Sequence, residues 1–171
     1  MTIKSMSLAL ADAIVVYLTA QQMVNPENFP SGLTWTPVRH YMPVLDEAKF
    51  ATTNPVTNPR VFVFPRNDDE IITGIGGSSA SEGDYEIAIL IDAYAGAPGP
   101  GFLAKIDPLM NLRQAIRTVL KPAGVVQPVG TVTANVKLTK VSGEDGYNLP
   151  MLVHKQIFSA AQLLTFSICP V

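Results

Sequence analysis

Asp84-Tyr85-Glu86-Ile87-Ala88-Ile89-Leu90-Ile91-Asp92-Ala93-Tyr94 is the stretch whose pattern decides the fold. Tyr85, Ile87, Ile89, Ile91 and Ala93 recur at period two and make one continuous apolar face. Glu86, Ala88, Leu90, Asp92 and Tyr94 make the other, mixed face. Side chains alternate across a strand, so the pattern predicts a β-strand with a core on one side. Gly96-Ala97-Pro98-Gly99-Pro100-Gly101 follows, a hinge that suits neither strand nor helix. Asp107-Pro108 predicts a helix start, an N-cap acid before a proline at the first helical position. Leu109, Leu112, Ile116, Val119 and Leu120 then recur at helical spacing, with Asn111, Arg113, Gln114 and Arg117 on the polar side. Lys121-Pro122 and Gly124 end that helix.

Toward the N-terminus, residues 5–23 predict a first helix, with Ser5 or Ser7 as its cap. Leu10, Ala13, Ile14, Tyr17 and Leu18 form one stripe. Leu8, Ala11 and Val15 widen it, which implies packing on more than one side. Asn25-Pro26 and Phe29-Pro30-Ser31-Gly32 end this helix. Leu33-Thr34-Trp35-Thr36-Pro37-Val38-Arg39-His40-Tyr41 predicts a strand, and Pro37 assigns it to an edge or a bulge. Asp46-Glu47-Ala48-Lys49-Phe50 suggests a short helical turn, and residues 52–59 a loop. Arg60-Val61-Phe62-Val63-Phe64-Pro65-Arg66 is β-branched, aromatic and bounded by prolines, hence a short strand. Asn67-Asp68-Asp69-Glu70 reads as its polar turn. After a brief Ile71-Ile72, residues 74–83 read as a flexible loop.

Toward the C-terminus, residues 130–141 alternate cleanly. Val132, Ala134, Val136 and Leu138 face one way, and Thr131, Thr133, Asn135, Lys137 and Thr139 the other. That predicts a half-solvated antiparallel strand. Residues 142–146 turn the chain, and residues 149–154 suggest a short helical turn. Ile157-Phe158 opens an extended stretch, and Leu163-Leu164-Thr165-Phe166-Ser167-Ile168 is a last strand. The sum is one α+β domain over residues 1–171, a mostly antiparallel sheet with two main helices packed on it. Loops near 51–59, 74–83 and 95–106 are expected to be flexible.

A chain of 171 residues is long enough to bury a real core. Charged residues are only 15%, against about 25% in a typical soluble domain, and mean hydropathy is +0.24. This favours a surface partly buried against other subunits. A net charge of −2 provides no broad basic field for nucleic acid. The single cysteine, Cys169, forms no internal disulfide and reads as a buried or incidental thiol. The apolar run at residues 8–20 is interrupted by Asp12 and is too short to span a bilayer. A soluble intracellular protein, without membrane association, is the expectation.

No catalytic, cofactor or metal motif emerges. Gly74-x-Gly76-Gly77 lacks the Gly-Lys-Ser/Thr ending of a phosphate loop and precedes a strand, not a helix. His40 and His154 stand in no ligand spacing. Gly76-Gly77-Ser78-Ser79 is not a nucleophile elbow. Asp68, Asp69 and Glu70 read as a solvated turn, or as acids that meet a basic patch on a partner. Arg113 and Arg117, one turn apart, form a small basic stripe with Lys121. It is a solvated face, unless a ring places it at an intersubunit contact or along a lumen.

The order of elements resembles that of the tail-terminator and neck (tail-completion) proteins of tailed bacteriophages. It runs through a helix at 5–23, the Pro-bearing strand from Trp35 to Tyr41, and the short strand from Arg60 to Phe64. The strand from Tyr85 to Ala93, a long loop and the helix from Leu109 to Leu120 come next. The alternating strand from Val132 to Leu138 and Ile157-Phe158-Ser159-Ala160-Ala161-Gln162-Leu163-Leu164-Thr165-Phe166 complete it. The resemblance covers most of the chain as an order of elements, without a diagnostic motif. It implies a non-enzymatic virion protein, made in the host cytoplasm, that forms a ring, commonly a hexamer. Such a ring caps the tail tube and joins it to the head-proximal connector, and DNA passes its lumen without specific binding. Tail tube protein, connector protein and further copies of the chain are the implied partners, with no cofactor. Contacts are expected from Trp35, Tyr41, Arg60, Phe62 and Phe64, with the 74–83 loop, and from Arg113 and Arg117. The alternatives are another neck, head-closure or minor tail protein, or a small ligand-binding domain.

Overall fold

The computed structural model describes residues 6–41, 53–73, 80–122, 124, 126, 134–142 and 147–170, with the backbone alone at 67–73, 80–82, 134–135 and 169–170. The stretch that opens the sequence analysis is the central strand, β3 (Ala80–Tyr94), of a five-stranded sheet. β2 (Arg60–Thr73) and β5 (Ile157–Pro170) flank it, both antiparallel. β1 (Pro37–Arg39) runs parallel to β2 at one edge, and β4 (Ala134–Ser142) runs antiparallel to β5 at the other. The spatial order is β1-β2-β3-β5-β4. The helices are α1 (Met6–Val24), α2 (Phe102–Val119) and the short α3 (Leu149–Lys155). The fold is therefore α+β, with a mixed, mostly antiparallel sheet and two main helices, as the periodicities predict.

Register explains which face is buried. Ile87, Ile89 and Ile91 of β3 stand opposite Pro65, Val63 and Val61 of β2. On the other side they stand opposite Leu164, Gln162 and Ala160 of β5. Tyr85, Ile87, Ile89, Ile91 and Ala93 are all buried, as are Val61, Val63, Phe158, Leu164 and Phe166. They join Leu10, Ile14 and Leu18 of α1 and Ile106, Leu109, Leu112 and Ile116 of α2 in one cluster. Each such aliphatic side chain contributes roughly 1.5–3 kcal/mol of transfer free energy. Polar contacts tie α2 to the sheet and α1 to α2. Gln162, buried on this face, donates from Nε2 to the Arg113 carbonyl at 3.5 Å, and the Tyr17 hydroxyl donates to the Val119 carbonyl at 3.2 Å.

Several boundaries differ from the sequence expectation, each for a physical reason. α2 starts at Phe102, not at Asp107-Pro108, and Pro108 lies inside it. Proline removes one hydrogen bond, to the carbonyl of Ala104, and Ala104 is an exposed residue. Ile106, 3% exposed, anchors this early turn in the core. Gly101 precedes it at φ 75°, a conformation glycine adopts without steric cost. Ser7 lies within α1 and is buried rather than capping it, and Ser5 lies outside the described residues.

β1 holds only three residues, not nine. Trp35 precedes it and turns into the core, edge-on to Phe29 at 5.2 Å. β2 does not end at Arg66: Asn67, Asp68, Asp69 and Glu70 continue the ladder instead of turning. β3 begins at Ala80, so Ala80, Ser81, Glu82 and Gly83 are strand and not loop. A bulge between Pro65 and Asn67 absorbs Arg66, and the cross-strand bonds override local turn preference. Residues 74–79, including Gly74, Gly76 and Gly77, lie outside the described residues. So do the suggested turn at 46–50, residues 130–133 and the turn at 143–146.

In β4, Val136 is buried and Lys137 exposed, as the alternation predicts. A bulge between Leu138 and Lys140 resets the pattern, so that Val141 stands opposite Leu164. α3 is the helical turn expected after residue 148. Asn148 caps it, its Oδ1 accepting from the Met151 N–H at 3.0 Å. α1 is long and apolar enough to cross a membrane by length and composition. Here Leu10, Ala11, Ala13, Ile14 and Leu18 are buried in the core, which also accounts for that composition.

Candidate interaction surface

The sheet face opposite the helices is built from the other half of each alternation. On β2 it carries Arg60, Phe62 and Phe64, which stand opposite Asp92, Leu90 and Ala88 of β3. On β5 it carries Ser159, Ala161, Leu163 and Thr165. Phe62, Ala88, Leu90 and Leu163 are half-buried, and Val38 at the β1 edge is 46% exposed. Phe62 packs edge-on to His40 at 5.4 Å and lies 6.0 Å from Phe64.

One ion pair sits among the apolar residues at this end of the face. Arg60 Nη2 reaches Asp92 Oδ2 at 3.2 Å, directly across the β2–β3 ladder. The Arg60 guanidinium also lies 5.0 Å from the Phe62 ring centre, in cation–π range. Asp92 is buried, and its Oδ1 has no hydrogen-bond partner. Burial raises its pKa above the ordinary aspartate value, while Ser159 and Arg60 pull it down.

At the sheet edge, Arg39 joins two elements. Its Nε pairs with Asp12 of α1, its Nη1 donates to the Tyr41 hydroxyl at 2.9 Å, and its guanidinium lies 5.3 Å from the Tyr41 ring centre. Tyr41 is 71% exposed. The expected contact residues therefore separate. Tyr41 presents its ring to solvent and Phe62 presents part of its own. Trp35 and Phe64 are spent inside the chain, and Arg60 is held by Asp92. Arg113 and Arg117 are half-buried on α2. Arg113 Nη2 donates to the Ala161 carbonyl at 3.4 Å, which ties α2 to β5.

Some surface features escaped the sequence reading. Val16, Met23 and Val24 of α1 and Leu103 of α2 are exposed apolar residues outside the core stripes. The helical spacing of Val16 and Met23 was a readable signal, masked by apolarity around most of α1. The Arg60–Asp92 pair needs the strand register, which no local pattern encodes. Among the described residues no group of three or more His, Cys, Asp or Glu side chains is placed to hold a metal ion. An open apolar cleft of 440 Å³ lies between the start of α2 and the loops around Leu33 and Val56, with Lys105 as its charged lining residue. No family model and no curated protein matches the chain.

Proposed function

We propose that the chain is a structural protein of the tailed-phage virion, made in the host cytoplasm, that assembles into a ring. The ring terminates the tail tube and joins it to the head-proximal neck. One observation carries the reading. Both main helices share a single core with one sheet face, while the opposite face and the β1 edge present Val38, Tyr41, Phe62 and Leu90 wholly or partly to the outside. Apolar surface at that position is stabilised by contact with further protein. The low charge content of 15% points the same way. The element order, which resembles that of tail-terminator and neck proteins, gives the particular role.

In this reading the protein works by interface complementarity and carries out no chemistry. One ring face matches the last ring of the tail tube. The other meets the connector and does not template further tube. Hexameric closure leaves a lumen through which DNA passes without specific recognition. The test is native mass spectrometry of the purified chain, followed by electron microscopy. A mass corresponding to a hexamer of the 18.4 kDa chain, with closed rings in images, supports the proposal. A single chain at micromolar concentration, with no density for it in virions, overturns it.

A further inference from the structure

Two strand edges of the sheet differ from the rest of the molecule. β1 covers the outer side of β2 only at Val61, Phe62 and Val63, with His40 donating to the Val63 carbonyl beyond it. Among the described residues no strand pairs with that side of β2 from Phe64 to Thr73. β5 pairs with β3 only as far as Gly83, so the part of β2 and β3 beyond it projects as a two-stranded ribbon. A two-stranded ribbon is marginal alone, and an open strand edge is a template for pairing. At the opposite side of the sheet, the Gly124 N–H occupies the Val136 carbonyl, and from Lys137 to Ser142 the described partner of β4 is β5 alone.

Charge is divided between these edges. The β2 side carries Asp68, Asp69 and Glu70 after one exposed cation, Arg66, at the bulge, and the adjoining part of β3 carries Glu82, Asp84 and Glu86. The β4 side carries Lys137 and Lys140, both exposed. Register puts them in common rows across the sheet. One row runs Asp69, Asp84, Ser167, Lys137, and the next runs Asn67, Glu86, Thr165, Lys140. Each row has acid toward the β2 edge and ends in lysine at the β4 edge. Asp69 stands directly opposite Asp84 in the register.

We propose that the β4 edge of one copy pairs with the open β2 edge of the next, with Lys137 and Lys140 meeting the acids around Asp69 and Asp84. β4 runs antiparallel to β2, and a rotation that continues the sheet keeps the same face on the same side, so antiparallel pairing preserves the rows. The contact is heterologous, since the two edges differ, and successive copies close a ring. The inference rests on the ring reading above and names the surface that makes the ring.

The test uses the wild-type chain and three variants, with thermal unfolding as a check on folding. One carries Lys137→Glu and Lys140→Glu, and another carries Asp69→Lys and Asp84→Lys. Each alone puts like charges at the two ends of the row that joins Asp69 to Lys137. Half-assembly of each is expected to need about tenfold more protein than the wild type, or more, at low salt. Mixed in equal amounts, the two variants regain assembly by alternating around the ring, and a chain carrying all four changes regains it alone. Wild-type rings with variants that assemble as the wild type does, or with no recovery on mixing, overturn the edge pairing and leave the ring reading standing. A wild-type chain that never assembles overturns both.

Discussion

The two faces of the sheet come from the same five strands and are built differently. The helix-covered face is aliphatic and closed: Val61, Val63, Ile87, Ile89, Ile91 and Leu164 are each 1% exposed or less. The other face mixes Phe62, Leu90 and Leu163 with Arg60, Asp92 and Ser159, and much of it is half-buried. The comparison separates two uses of apolar surface. On one face it holds the chain folded. On the other, in the proposed account, it holds chains together, and a buried ion pair is what the fold tolerates there.

The largest effect should come from the closed face. Ile89→Ala removes a fully buried side chain flanked by Val63 and Gln162 and should cost about 2–5 kcal/mol in urea unfolding at fixed protein concentration. An effect no larger than that of the open-face changes below would erase the distinction. Arg60→Ala comes next. It leaves the buried Asp92 carboxylate without its cation, and an uncompensated buried charge costs about 3 kcal/mol or somewhat less at this partly exposed pair. Phe62→Ala takes away a half-buried ring and should cost about 1–2 kcal/mol in unfolding. In the proposed account it weakens ring formation more than it weakens the fold.

Asp92 adds a pH signature to the open face. Folding raises its pKa, so the folded chain holds the proton more tightly than the unfolded chain. Its contribution to stability is therefore full below the ordinary aspartate value and is lost as pH rises through the raised folded value. Wild-type unfolding should show this decline as pH rises above the ordinary aspartate value, and Asp92→Asn should flatten it. A slope unchanged by Asp92→Asn would remove Asp92 as its source. Tyr41→Ala sits at the small end. Its ring is 71% exposed, and its loss should alter unfolding by at most about 0.5 kcal/mol.

Much of the closed face was legible in the sequence because it depends on local period. The alternation from Tyr85 to Ala93 and the spacing of Leu109, Leu112 and Ile116 each report one buried side directly. What failed depends on partners distant in sequence. Asn67-Asp68-Asp69-Glu70 has turn composition, and only pairing with β3 makes it strand. Asp107-Pro108 has the grammar of a helix start, but burial of Ile106 extends the helix one turn and more upstream. The candidate surface was less legible for the same reason. Its aromatic residues were visible as types, yet whether each turns inward, as Trp35 does, or outward, as Tyr41 does, depends on the packing of other elements. The rows that join Asp69 to Lys137 exist only once three registers are known.

The central claim is that this chain is a ring subunit, and the native mass of the purified full-length protein at micromolar concentration tests it most directly. The account predicts a hexamer of the 18.4 kDa chain that comes apart when Lys137 and Lys140 are reversed to glutamate. A single 18.4 kDa species across the concentration range would contradict it.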